Sequence, residues 1–277
     1  MLLTIKIFIV SKICIKIGGN ALKDDRRLEA FLSVFSNVMQ PGDQWLMVHG
    51  GGPVIAGVLD QYKVPHEFIG GHRKTDAEAI RLVEMALSGA MNGRLVRGLL
   101  QHGIKAVGLT GMDGAMARSE KRWHHDEQGT RHDLGQVGDI RGVDTSLLLT
   151  LLEKGFLPVV APLALAPDFT AHNVNADMFA AHVAAALPVD ELILLTDVEG
   201  FYRDINDPAS LMEHIRLDRD KKAIWHTLQG GMIPKLEAAE IALKNGVRQV
   251  RILNGARPAS LTEWRDGRAG GTLITGE

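Results

Sequence analysis

The chain has 277 residues, with 31 Lys and Arg against 33 Asp and Glu, and 45% of it is hydrophobic. This composition excludes a disordered polyelectrolyte, and a net charge of -2 gives no global field for steering onto nucleic acid or anionic lipid. A single cysteine, Cys14, excludes an internal disulfide framework and a multi-cysteine zinc site, and no unbroken apolar run reaches the roughly 18 residues of a membrane helix.

The hydrophobic opening is interrupted by Lys6, Lys12 and Lys16 and reads as strand rather than signal peptide. Residues 1–11 read as an edge strand or an extended start. Ile13–Ile17 is a strand, Leu28–Met39 a helix and Trp45–Val48 a second strand. Gly52–Leu59 starts another helix, and Asp76–His102 is one long helical stretch with Val83, Leu87, Leu95 and Leu99 near one face. Ala106–Leu109 follows as a strand. Ala115–Ile140 is polar, rich in His and charge, and reads as a hairpin or loop excursion. Leu147–Lys154 is a helix closed by Gly155. The strand Leu157–Ala161, the helix Ala176–Ala186, the strand Leu192–Leu195, the helix Lys235–Lys244 and the strand Val250–Leu253 complete the pattern. Strands alternating with helices predict an α/β protein with a mostly parallel sheet. The turn at Ala166-Pro167-Asp168 suggests two lobes on one continuous sheet, 1–170 and 171–277.

Several strand exits carry residues suited to anions. Lys16-Ile17-Gly18-Gly19-Asn20 puts a cation beside two glycines whose N–H groups can approach a phosphate, or it is a tight turn with a solvated lysine. His49-Gly50-Gly51-Gly52-Pro53 exposes unpaired N–H groups at a helix start; His49 itself reads as structural. Neither matches the GxxxxGK[ST] or GxGxxG pattern. Arg73, just before a helix capped by Thr75 or Asp76, suits a two-point clamp on a carboxylate, or a solvated basic turn. Asn173 and Asn175 fall on one side of an extended segment. Asp177 either caps the next helix or orients lysines. Lys235 sits at a helix entry, where a cation opposes the dipole, and that conflict marks it as functional. Thr196-Asp197-Val198-Glu199-Gly200 is another strand-exit loop. His124, His125 and His132 form no convincing ligand set, so no metal site is expected.

In order and spacing, KIGGN at 16–20, VHGGGP at 48–53, RKTD at 73–76, VEMALSGAMNGRLV at 83–96, AVGLTGMDG at 106–114, LLEKGFLPVVAP at 151–162, NVNAD at 173–177, LLTDVEG at 194–200 and GGMIPKLEAA at 230–239 resemble the amino acid kinase family. The resemblance runs from about Ile13 to Gly271-Thr272-Leu273-Ile274. It implies a three-layer αβα sandwich, with an N-terminal lobe for the acid and for dimerisation and a C-terminal lobe for ATP. It is strongest to members that phosphorylate the side-chain carboxylate of N-acetyl-L-glutamate, a step of arginine biosynthesis in the cytoplasm.

Carried over by position, Lys16 and Lys235 flank the transferring phosphoryl group and Asp177 holds them. Gly51, Gly52, Arg73, Asn173 and Asn175 bind the acid. Gly18, Gly19, Thr196, Asp197, Gly231 and Met232 bind ATP, and Mg²⁺ arrives with the nucleotide. The His-Arg-Lys run at 72–74 departs from the usual pattern and resembles kinases of carrier-bound aminoadipate in lysine biosynthesis. Arg73, Lys74, Arg118, Lys121, Arg122 and Arg131 would then meet an acidic carrier. A non-catalytic amino-acid-binding regulator is the third alternative. The N-terminal helix of arginine-inhibited, hexameric members is not recognised, so an arginine-insensitive homodimer is expected.

Overall fold

Period-two alternation in β1 (Lys12–Ile17) organises the whole molecule. Ile13, Ile15 and Ile17 join one buried cluster and Cys14 joins another, so the strand feeds a core on each face. The computed structural model describes residues 11–126, 128–225, 228, 230–268 and 270–276. The expectation for residues 1–10 therefore lies outside the described residues.

In chain order, α1 (Asp25–Val38), β2 (Gln44–His49) and α2 (Gly52–Gln61) follow β1. A short hairpin, β3 (Phe68–Ile69) and β4 (His72–Arg73), precedes α3 (Ala77–Glu84). A π-helical segment, Met85–Met91, links α3 to α4 (Asn92–Gln101). Next come β5 (Ala106–Thr110), β6 (Ala117–His125), β7 (Arg131–Val143), α5 (Ser146–Glu153), β8 (Leu157–Ala161), β9 (Leu163–Leu165) and β10 (Ala171–Asn173). The chain continues through α6 (Ala176–Ala186), β11 (Glu191–Thr196), β12 (His214–Arg216), α7 (Leu217–Trp225), α8 (Ile233–Lys244), β13 (Gln249–Asn254), α9 (Ala259–Arg265) and β14 (Thr272–Thr275).

The main sheet has the order β12-β14-β13-β11-β1-β2-β8-β5, and β13–β14 is its antiparallel pair. One face packs on α1, α4 and α9 through Phe31, Phe35, Leu95, Leu99 and Leu261. The other packs on α5, α6 and α8 through Leu148, Phe179, Ala180 and Leu236. This is the predicted αβα sandwich.

The polar excursion is indeed a hairpin, β6–β7, but it closes with β9 and β10 into a small four-stranded barrel. The turn at Ala166-Pro167-Asp168 joins β9 to β10, with the Asp168 carboxylate accepting from Thr170 N at 3.1 Å. The long helix is present and its middle is π-helical. Gly155 ends α5 at φ 73°. Cys14 is fully buried against Ala180, and burial pushes its thiol pKa up. Among the described residues, no helix is long and apolar enough to cross a membrane.

Candidate active site

The strand alternation that sends Ile13, Ile15 and Ile17 to one core sends Lys16 to the other, toward α6 and α8. These two helices pack side by side, and each brings a charged residue in its first turn to the C-terminal edge of the sheet, the usual ligand edge of an open α/β sheet. Asn175 is the N-cap of α6: its Oδ1 accepts from the backbone N–H of Asp177 at 2.9 Å and of Met178 at 3.2 Å. The capping role left open for Asp177 thus falls to Asn175, and the Asp177 carboxylate serves the lysines.

Lys235 Nζ donates to Asp177 Oδ2 at 3.1 Å and to Gly231 O at 3.2 Å. Lys16 Nζ lies 2.8 Å from Asp177 Oδ1 as an ion pair. All three side chains are buried: Lys16 and Lys235 are 8% exposed and Asp177 4%. Burial alone would raise the Asp177 pKa; Lys16 and Lys235 outweigh it and hold the carboxyl below its usual range. The cluster carries two ammonium groups on one carboxylate. Its surplus positive charge at a glycine-lined edge suits a phosphoryl group.

The glycine exits line this edge. Gly19 takes φ +57°, and a Cβ there would fall 2.6 Å from Asp197 Oδ1, so Gly19 and Asp197 are brought into contact. Gly51 caps α2, and a Cβ on it would meet Leu87 Cδ2 at 2.6 Å. No Cβ contact would arise at Gly52 or Gly231. Thr196 ends β11, half-buried, while Met232 packs partly against the core beside Lys235.

Arg73 stands on the β3–β4 hairpin above the start of α2. Its Nη2 is 3.4 Å from Gly52 O and its guanidinium lies 4.6 Å from the Phe68 ring centroid. Its Nη1 is buried without a hydrogen-bond partner. Burial lowers its pKa, opposed by Asp60. A buried guanidinium N–H without a partner favours an anion beside it. Asn173 Nδ2 donates to Thr75 Oγ1 at 3.3 Å, and that hydroxyl donates to Arg73 O at 2.9 Å, so Asn173 joins the Arg73 strand. Asp76 caps α3, accepting from Glu78 N and Ala79 N.

Two features lie outside the roles carried over by position. His49 is fully buried, as befits the structural role read for it, and meets the side chain of Asn92. Asn92 follows the apolar face of Leu95 and Leu99 at helical spacing, and a polar residue on such a face is the signal that finds it. The loop after β11 is pinned through Glu199, which accepts from Asn254 Nδ2 at 2.8 Å and from Arg257 Nη2 at 2.8 Å.

The basic residues of the barrel are mostly engaged. Lys121 pairs with Asp133 at 2.8 Å, Arg122 with Asp139 and Lys74 with Glu67 at 3.4 Å, while Arg131 covers the Trp123 ring. The surface is less cationic than its sequence. His132 pairs with Asp126 at 2.8 Å, and among the described residues no group of three His, Cys, Asp or Glu could hold a metal.

A model of the amino acid kinase family matches residues 11–254. An acetylglutamate kinase of Symbiobacterium thermophilum is 39% identical over 251 residues, 90% of this chain and 86% of that protein. One of Methanopyrus kandleri is 41% identical over 244 residues, 87% of this chain and 94% of that protein. The crystal structure of smu.665 from Streptococcus mutans UA159 superposes with TM-score 0.75 at 30% identity, covering 96% of this chain and 99% of that one.

Proposed function

Since the chain belongs to the amino acid kinase family, we propose that it transfers the γ-phosphoryl group of ATP to the side-chain carboxylate of N-acetyl-L-glutamate, forming an acyl phosphate for arginine biosynthesis. The observation that carries this reading is the pair of lysines on one buried carboxylate at the ligand edge of the sheet. A carboxylate acceptor is already deprotonated, so the reaction needs positioning and charge neutralisation rather than a strong base. Lys16 and Lys235 neutralise the migrating group from two directions, and Asp177 fixes both nitrogens. Gly18, Gly19, Gly51 and Gly52 offer backbone N–H groups to phosphate and to the reacting carboxylate.

Arg73 takes the α-carboxylate of the acid through its unpartnered Nη1, with Asn173 and Asn175 beside it. Thr196, Asp197, Gly231 and Met232 receive the nucleotide. Asp177 is occupied by two ammonium groups and has no oxygen to spare for a metal. Mg²⁺ brought with ATP would instead be held through the nucleotide's phosphate oxygens and would supply further neutralisation of the phosphate charge. In this reading residues 1–170 bind the acid and 171–277 bind ATP. The N-terminal lobe leaves Tyr62, Phe68, Met85 and Leu100 exposed, apolar surface that a homodimer would cover. The enzyme would work in the cytoplasm with its ATP supply.

A coupled ADP-release assay with N-acetylglutamate, glutamate and aminoadipate tests the reading. Turnover is expected with N-acetylglutamate, and Lys235→Met should lower kcat by about 10²–10³, roughly 3–4 kcal/mol of barrier. Absence of acetylglutamate-dependent ADP release, or full activity in Lys235→Met, would overturn it.

A further inference from the structure

Below the second glycine exit lies a buried contact that the phosphoryl-transfer account leaves unused. Asn92 opens α4 directly after the π-helical segment and is 4% exposed. Its Nδ2 is 2.8 Å from Val159 O, 3.2 Å from Leu109 O and 3.1 Å from His49 Nε2. Two carbonyl oxygens only accept, so they fix the NH₂ end of the amide on this side. Those two carbonyls can take both N–H bonds of the amide, so His49 Nε2 faces a nitrogen that cannot accept, and a proton on Nε2 would find no partner there. The ring proton belongs on Nδ1, whose neighbour is a carbonyl oxygen.

His49 Nδ1 is 2.9 Å from Gly50 O, which makes that contact a donated hydrogen bond. Gly50 N in turn donates to Ile17 O at 2.7 Å. The carbonyl of Gly50 and the N–H of Gly51 belong to one planar trans peptide and point in opposite directions. Holding Gly50 O on the buried ring thus aims the Gly51 N–H away from the core, at the edge where α2 starts. No acceptor among the described residues takes that N–H. Burial keeps the imidazole neutral at neutral pH, its pKa pushed down to about 4. Strand β5 makes room for the amide, since a Cβ on Gly108 would fall 2.0 Å from Asn92 Oδ1.

We propose that Asn92 and His49 form a neutral relay that sets the direction of the Gly51 N–H, and that both are positioning residues for the transfer. This rests on the carboxylate-kinase reading above. The relay couples the long helix to the reacting groups without placing a charge beneath them.

The test combines a spectroscopic readout with two substitutions. Long-range ¹H–¹⁵N correlation spectra of the full chain, with the His49 signals identified by their loss in His49→Asn, should show the Nδ1–H tautomer. His49→Asn puts an amide nitrogen two bonds from Cβ, where Nδ1 was, and should keep kcat within about threefold. His49→Gln puts it one bond further, in the place of Nε2, and should lower kcat about thirtyfold with little change in the KM for ATP. A mere space-filling role gives the reverse order, because Gln preserves more of the imidazole volume than Asn. An Nε2–H tautomer in the unaltered protein, or His49→Gln at least as active as His49→Asn, would overturn the proposal. Failure of the unaltered protein to phosphorylate acetylglutamate defeats the functional reading instead, while the tautomer still reports on the relay.

Discussion

Two polar clusters lie under two glycine-rich strand exits, and they solve different problems. Lys16, Asp177 and Lys235 bring formal charges from β1, α6 and α8 to one point. His49 and Asn92 bring only neutral groups, from β2 and α4. Burying charge is costly unless it is paired. The charged cluster is paired incompletely, two cations to one anion, and that surplus is what an incoming phosphate would complete. The neutral cluster has no such surplus. Its task is to fix a peptide plane, and an uncharged ring held between an amide and a carbonyl does this with little electrostatic cost. Under the proposed transfer, charge stands where charge would migrate, and neutral hydrogen bonds stand where only direction is needed.

The largest effect that could break this contrast comes from Asp177. Asp177→Ala leaves two buried ammonium groups facing each other without an anion and should cost about 3–5 kcal/mol of stability. Urea unfolding at neutral pH measures it, and a loss below about 1 kcal/mol would mean that the lysines are not held as the geometry indicates.

The two clusters should also separate by pH. His49 has a native pKa pushed down to about 4 from 6.5, so below pH 6.5 the unfolded chain binds a proton that the native one does not. Its contribution to stability is full above that range and falls by about 3 kcal/mol as the pH drops to about 4. Half-buried His72, also pushed down to about 4 by burial and Arg122, adds a solvent-screened share in the same window. Asp177, whose pKa is lowered from 3.8, loses its contribution only below that value, as it takes up a proton. Unfolding free energies of the unaltered protein and His49→Asn between pH 7 and pH 4 should therefore diverge in slope above pH 4. Parallel curves would show that the ring is not buried and neutral.

What the sequence revealed follows the same division. Lys235 was legible because a cation at a helix entry conflicts with local preference, Lys16 because it stands beside two glycines at a strand exit, and the glycine exits because they interrupt strand and helix patterns. Asp177 at a helix start reads equally well as a cap, and its place with the two lysines came from the family resemblance. The helix Ala176–Ala186 and the strand Leu157–Ala161 were read with the bounds observed. The barrel was not legible as such. Strands of three residues, β9 and β10, carry too little periodicity to be recognised, and their pairing with the β6–β7 hairpin is decided by tertiary contacts. The β3–β4 hairpin, with two residues in each strand, was hidden for the same reason. Helix α9 escaped notice because it is anchored at long range, where Trp264 meets Trp45 edge to face at 5.9 Å and donates to Glu191 Oε2 at 3.1 Å. Asn92 lies inside the VEMALSGAMNGRLV segment without a role assigned to it, and its partners emerge only when β2, β5 and β8 are assembled around it.

The barrel gives the smallest effect and sets the lower limit of the comparison. Lys121 and Asp133 pair at 2.8 Å, as closely as Lys16 and Asp177, yet their side chains are 40% and 54% exposed. Water and salt screen such a pair, and holding two long side chains in one geometry costs rotamer entropy. Lys121→Met should therefore change stability by no more than about 0.5–1 kcal/mol, and acetylglutamate turnover should stay within about twofold. Urea unfolding at low and high salt, alongside the ADP-release assay, checks both figures. Equal distances with unequal consequences would show that burial, rather than ion-pair geometry, separates the buried charged cluster from the decorated surface. A loss on the scale of Asp177→Ala would instead place the hairpin among the elements that hold the site.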